Sequence, residues 1–251
     1  MLVIPESVRM TRDKRREAAW LKKARATITA GDKDRKAGLH ASDLLDPRVA
    51  YWSRKKKREP DERTIFFFLI GRVLHEIEVK FRTGKEEASD EGSHFDKELG
   101  IWYSPDLVLK GNVPGEYKTS RSPYEPISES ACLNKYESYL EQLLIYMAAM
   151  QSTTGELQVL YISRKQKGGT ATAPAQRIYK IRVSPEDLKK YRAQIIETRV
   201  SIEQALETDD YRKLPLCRFF KCSELACAWW EDCQPEGRYG KVRMKKRSTR
   251  V

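Results

Sequence analysis

The sequence predicts an α/β fold, and three observations predict it. Apolar residues recur at helical spacing through 62–81 and 128–150, and a strong helix start follows at Ser184. Short apolar runs bounded by glycine, proline and asparagine lie between these stretches. From residue 60 the order is helix, three strands, helix, two strands, helix, with no internal repeat. A chain of 251 residues can bury a core without covalent staples. The expected parts are a basic helical N-terminal cap (1–59), an α/β core (60–206), a cysteine-bearing C-terminal cap (207–237) and a basic tail (238–251).

In chain order, residues 9–29 group Arg12, Lys14, Arg15, Arg16, Lys22, Lys23 and Arg25 around Trp20 and Leu21. That is the pattern of a basic helix, suited to a phosphate backbone or to a solvated face. Within His40 to Trp52, Ser42 or Asp43 can cap a short helix and Pro47 can open a second. Arg54 to Arg58 is a run of five bases. Pro60-Asp61-Glu62 opens a helix that continues through Ile65, Phe66, Leu69, Val73, Leu74, Ile77 and Phe81 to Gly84. Gly71 and His75 share one face of it, and Gly71 costs roughly 1 kcal/mol in mid-helix. Strands follow over 93–99, 101–110 and 114–120. The helix over 128–150 carries Leu133, Tyr136, Leu140, Leu143, Leu144 and Met147, with Gln142 and Tyr146 together on a face. Strands over 156–164 and 176–183 flank a loop, and Ser184-Pro185-Glu186-Asp187 starts a helix to Leu206.

The formal net charge of +12 suggests a polyanionic partner, nucleic acid most simply, with a merely basic surface as the alternative. No segment approaches the roughly 18–20 apolar residues of a membrane span. The stretch after Ile4 turns charged at once, unlike a signal peptide. The expectation is a cytoplasmic protein, in its own cell or in a host cell, with no membrane partner. In that compartment clustered cysteines bind metal more often than they form disulfides.

Ser104 to Ser120 reads as a β-hairpin turning at Gly111-Asn112, two residues that tolerate positive φ. Glu116 and Lys118 are two apart and point to one face. A strict two-residue loop would put Asp106 on the opposite face from them. A loop of Gly111 to Val113 pairs Lys110 with Pro114 and sets Asp106 opposite Lys118, so that all three polar groups converge. An odd-length loop or an equivalent bulge is therefore expected. An exposed, ion-paired hairpin face fits the same pattern.

Pro105-Asp106 followed by Glu116-Tyr117-Lys118 resembles the PD-(D/E)xK nucleases. Gly71-Arg72-Val73-Leu74-His75 upstream and Gln142-Leu-Leu-Ile-Tyr146 downstream make it similar to the RecB-like branch, where a helix histidine precedes the acids and a Q-x-x-x-Y helix follows. Within that branch it looks most like the CRISPR-associated four-cysteine iron–sulfur exonucleases and their viral and archaeal relatives. Those proteins open with a segment similar to His40-Ala-Ser-Asp-Leu-Leu-Asp-Pro-Arg, but with cysteine where this chain has Asp46. Their other three cysteines lie near the C-terminus, whereas this chain has Cys217, Cys222, Cys227 and Cys233 there.

The resemblance implies a restriction-endonuclease-like core, a mixed central sheet flanked by helices. It implies a metal-dependent DNA nuclease, an exonuclease on single-stranded DNA or DNA ends, serving CRISPR adaptation, DNA repair or recombination, or viral replication. A restriction-like endonuclease and a non-catalytic DNA-binding module are the alternatives. Phosphodiester hydrolysis suits hard cations on carboxylates, hence Mg²⁺, with Mn²⁺ a comfortable substitute beside a histidine. By resemblance Asp106, Glu116, His75 and the carbonyl of Tyr117 hold the metal. Lys118 orients or activates the water and offsets negative charge on the phosphate, and Gln142 and Tyr146 hold the substrate backbone or the lysine. The cysteine gaps of four, four and five residues do not make a zinc ribbon. They could wrap a [4Fe–4S] cluster, hold zinc, or simply pack beside Trp229 and Trp230.

Overall fold

A computed structural model of the chain describes residue 22 and residues 36–58, 62–83, 88–89, 92–120, 122, 124–126, 128–162, 164–165, 171–172, 175–217 and 227–233. The basic tail, Cys222 and all but Lys22 of the expected basic helix lie outside these residues. Two compact units divide the chain, one of residues 1–36 and 59–74, the other of residues 37–58 and 75–251.

The described elements run β1 (Leu39–His40), α1 (Ala41–Leu45), α2 (Pro47–Lys55), α3 (Glu62–Thr83), β2 (Ala88–Ser89), β3 (His94–Asp96), β4 (Ile101–Tyr103), β5 (Leu107–Leu109) and β6 (Val113–Ser120). After these come α4 (Glu129–Lys135), α5 (Glu137–Ala149), β7 (Thr154–Tyr161), β8 (Arg164–Lys165), β9 (Ala171–Thr172), β10 (Ala175–Arg182), α6 (Pro185–Glu207) and α7 (Trp230–Cys233). The main sheet has the order β10-β7-β6-β5-β2 and is mixed: β6 and β7 are parallel, the other pairs antiparallel. A second sheet of three strands has the order β1-β4-β3. No helix among the described residues is long and apolar enough to cross a membrane.

The second unit builds its core where α5 lies on β6 and β7 and α6 lies on α5. Leu143 and Met147 reach the sheet from α5, and Leu157, Val159 and Tyr161 meet them from β7. Gly155 makes this approach possible, since a Cβ there would stand 2.7 Å from Met147 Sδ. Leu188, Ile195, Ile202 and Ala205 complete the layer from α6. Arg192 of α6 donates to the carbonyl of Ala148 in the last turn of α5. The same guanidinium bonds Glu98 Oε2 at 2.5 Å, in the turn between β3 and β4, and lies 3.6 Å from Oδ2 of Asp96 at the end of β3.

Four local features differ from expectation. His40 is the N-cap of α1, and its N–H donates to Asp43 Oδ2 at 2.8 Å, so Asp43 braces the first turn from within. The helix expected over 128–150 divides at Tyr136, whose ψ of 14° ends α4 while its buried ring enters the core. The expected loop after β7 contains the short pair β8–β9. Three of the five bases in Arg54 to Arg58 are already ion-paired: Arg54 with Asp43, Lys55 with Asp209, Lys56 with Asp232. Asp43 belongs to the preceding helix α1, whereas Asp209 and Asp232 come from distant segments, and the run ties α2 to them.

Candidate active site

The hairpin loop is odd in length, as the convergence argument requires, but it is Lys110-Gly111-Asn112. Leu109 pairs with Val113, Val108 with Pro114 and Leu107 with Gly115. The expected Lys110–Pro114 pairing is displaced because Gly111 and Asn112 are the two left-handed residues, with φ of 85° and 60°. The reversal centres on them, so Val113 rejoins the ladder. One step further along this register, Asp106 stands opposite Glu116 rather than Lys118. The displacement preserves the parity of the pleat, so the three polar positions remain on one face.

Each group is held by its neighbours. Asp106 Oδ2 accepts the backbone N–H of Tyr117 at 2.7 Å. His75 Nε2 lies 3.6 Å from Asp106 Oδ1 and 3.4 Å from the Asp106 carbonyl oxygen, with its ring 6.3 Å from that of Tyr117. Glu116 pairs with Leu157 and Lys118 with Val159 across the parallel β6–β7 ladder, which turns both toward the side covered by α5. There Glu116 is completely buried. The Lys118 ammonium forms an ion pair with its Oε1, and its Oε2 has no hydrogen-bond partner among the described residues.

The electrostatics follow from this burial. Desolvation pushes the Glu116 carboxyl up to about 8; Lys118 pulls it back, and the nearby Asp106 charge adds to the rise. Burial lowers the Lys118 pKa, but Glu116 and Asp106 outweigh it, so Lys118 titrates above its ordinary value and stays an ammonium. On α5, the Gln142 amide donates to the Tyr146 hydroxyl at 2.6 Å. Burial raises Tyr146 well above the ordinary phenol value, the Glu116 and Asp106 charges raise it further, and the Gln142 bond opposes them. Asp106, Glu116, Lys118, Gln142 and Tyr146 thus gather at one place, with His75 joining through Asp106.

Among the described residues, no three His, Cys, Asp or Glu side chains form a ready-made ligand group for one ion. Two carboxylates with an orphaned oxygen nevertheless match what a hard divalent cation takes, since Mg²⁺ retains several waters beside one or two carboxylates. Tyr139 was not anticipated. It precedes Gln142 by three residues and Tyr146 by seven, on the same helical face, and that spacing was the signal. Its ring centroid is 5.9 Å from Lys118 Nζ.

Cys217, Cys227 and Cys233 line one small pocket with Arg48, Val49, Trp52, Trp229 and Trp230. Arg48, also unanticipated, donates from Nη1 to Cys233 Sγ at 3.7 Å and from Nε to the Leu214 carbonyl at 3.0 Å. Burial pushes the Cys227 thiol up, and the Trp229 backbone opposes that; Cys233 and Asp46 add to the rise and Arg58 opposes it. Asp46 therefore lies within electrostatic reach of this pocket. Cys132 is half-buried in α4, apart from the group.

No protein-family model matches the sequence, and no curated protein matches it. Among solved structures the chain is similar to SSO0001, with a TM-score of 0.48 and 16% identity over 84% of this chain and 96% of that one. It is similar to a phage-related exonuclease from Haemophilus somnus 129PT, with a TM-score of 0.47 and 8% identity over 70% and 97%. It is also similar to an alkaline exonuclease from Laribacter hongkongensis, with a TM-score of 0.44 and 12% identity over 76% and 97%. Likenesses this remote leave the function to be read from the chain's own residues.

Proposed function

We propose that this protein is a metal-dependent nuclease that hydrolyses phosphodiester bonds in DNA. The buried Glu116 carboxylate carries the reading. Lys118 meets one oxygen of this fully buried carboxylate and the other has no partner among the described residues, so a divalent cation there would offset a burial cost of about several kcal/mol. Its strand neighbour Lys118 and the adjacent Asp106 supply the rest of a phosphoryl-transfer site. The preference for single-stranded DNA or DNA ends, and exonuclease rather than endonuclease action, rest on the resemblance to the RecB-like branch.

Asp106 and Glu116 would hold the ion, with the Tyr117 carbonyl and His75 as further donors. A bound Mg²⁺ or Mn²⁺ would supply charge neutralisation at the phosphate and a more acidic water. In the metal-free protein Lys118 lies beside Glu116 as an ammonium. Its work is to orient the attacking water and to meet the charge that grows on the non-bridging phosphate oxygens. Gln142 and Tyr146, bonded to each other, present an amide and a phenol to the substrate backbone. In the same sense the thiols of Cys217, Cys227 and Cys233, with Cys222, are a soft donor set for a [4Fe–4S] cluster, with zinc the lesser fit.

The test is cleavage of end-labelled single- and double-stranded DNA by purified protein, with Mg²⁺, with Mn²⁺ and with chelator. Metal-dependent release of short products from the ends is expected. No cleavage of either substrate with either metal would sink the reading.

A further inference from the structure

Lys118 now rests against Glu116, which in the nuclease reading is needed by the metal. Some other contact must then keep the ammonium over the sheet face. We propose that Tyr139 is a positioning residue of this site, its ring holding the Lys118 ammonium where water and scissile phosphate meet. The inference rests on the nuclease reading above.

Three observations carry it. The Lys118 nitrogen is 5.9 Å from the Tyr139 ring centroid, within reach of a cation–π contact. The ring is fixed from behind: Tyr139 stacks on Tyr136 with centroids 6.0 Å apart and planes 17° apart. Tyr136 is buried, packs on Tyr179 at 5.5 Å, and bonds the hydroxyl of the fully buried Tyr161 through its own. A column of rings thus runs from the core to the lysine. Finally, the Tyr139 hydroxyl has no hydrogen-bond partner among the described residues, so what the residue offers is its ring.

Chemistry explains why a ring suits this place. Lysine is a strongly hydrated charge on a flexible stem, and it wanders unless held. A carboxylate would hold it but cancel the charge that the phosphate needs. An aromatic face attracts the ammonium and leaves that charge whole.

Two measurements test this, one independent of activity. In metal-free protein labelled with ¹³C-lysine, the ε-methylene resonance that vanishes in Lys118→Arg belongs to Lys118. It is expected upfield, shifted by the ring current. It should keep that position in Tyr139→Phe and move to the position of exposed lysines in Tyr139→Leu. Tyr139→Met repeats the ring removal if the leucine variant does not fold. In Mn²⁺-supported cleavage, Tyr139→Leu should lose about tenfold in kcat with KM unchanged, and Tyr139→Phe should stay within about twofold of wild type. An unmoved resonance in Tyr139→Leu, a phenylalanine variant as impaired as the leucine one, or a loss that falls on KM would each overturn the proposal. A wild type that cleaves nothing overturns the nuclease reading and Tyr139's part in cleavage together; the resonance separates that failure from a failure of the contact.

Discussion

The β5–β6 hairpin and the pocket around Cys233 bring chemistry-bearing residues together by opposite means. In the hairpin, Asp106, Glu116 and Lys118 lie within thirteen residues, and backbone pairing with the pleat decides which of them meet. In the pocket, Arg48 and Cys233 are 185 residues apart, and side-chain contacts join α2 to the C-terminal segment. The hairpin's geometry therefore survives the loss of any one side chain, because the ladder persists. The pocket's geometry depends on each side chain that lines it. Mutations in the first region should change chemistry and spare the fold; mutations in the second should do the reverse.

The largest expected effect tests the first half of that contrast. Lys118→Ala should lower cleavage by about a thousandfold or more, with DNA affinity and the circular dichroism spectrum almost unchanged. Retained cleavage in carefully purified mutant protein would remove Lys118 from the chemistry.

Glu116→Gln sharpens the contrast, because it should abolish cleavage and yet stabilise the metal-free fold. The folded-state carboxyl, at about 8, lies above its ordinary 4.5, so between these values the native state holds a proton that the unfolded state has lost. Wild-type stability therefore falls as pH rises from about 4.5 to about 8. Glutamine has nothing to titrate, so its advantage should grow across that window and level off above it. A gain on the order of a few kcal/mol near pH 8 is expected in chemical denaturation. A mutant less stable than wild type under those conditions would contradict the burial cost.

In the pocket, Cys233→Ala should cost about 2 kcal/mol, since it leaves the buried Arg48 without its sulfur acceptor. It should change kcat at saturating DNA only a few-fold. Protein purified without oxygen should contain iron and absorb near ~400 nm. Cys217→Ala should bleach it and Asp46→Ala should not. Colourless protein without iron or zinc would leave these thiols as packing groups alone.

The smallest effect concerns salt. Deleting 238–251 should flatten the slope of log affinity for DNA against log salt by several units, about one for each phosphate that the tail neutralises. Replacing Arg54, Lys55 and Lys56 by glutamine should change that slope by less than about one unit, because each already faces an acid. Equal changes from both would show the run touching phosphate after all.

Much of the hairpin was legible because its rules are local. Period two put Glu116 and Lys118 on one face, and Gly111-Asn112 announced the turn. The register was displaced because the left-handed pair, not the apolar boundary at Val113, fixes the centre of reversal. The break at Tyr136 was hidden, since the apolar spacing of Leu133, Tyr136 and Leu140 continues through it. There Tyr136 turns into the core and meets Tyr161, a residue of a different element. The pairing of the basic run and the role of Arg48 were illegible for the same reason: Asp209, Asp232 and Cys233 are distant in sequence. Tyr139 could be read from its spacing with Gln142, but its stacking could not.

Arg192 gives the two arms of the site a shared mechanical anchor. One guanidinium holds the end of the helix that bears Gln142 and Tyr146, and also the turn whose following strand leads into Pro105-Asp106. Slow fluctuations of these arms would then be correlated, with α6 as the fulcrum. Relaxation-dispersion measurements should find Tyr146 and Asp106 exchanging at one common rate, and Arg192→Ala should let the two rates part.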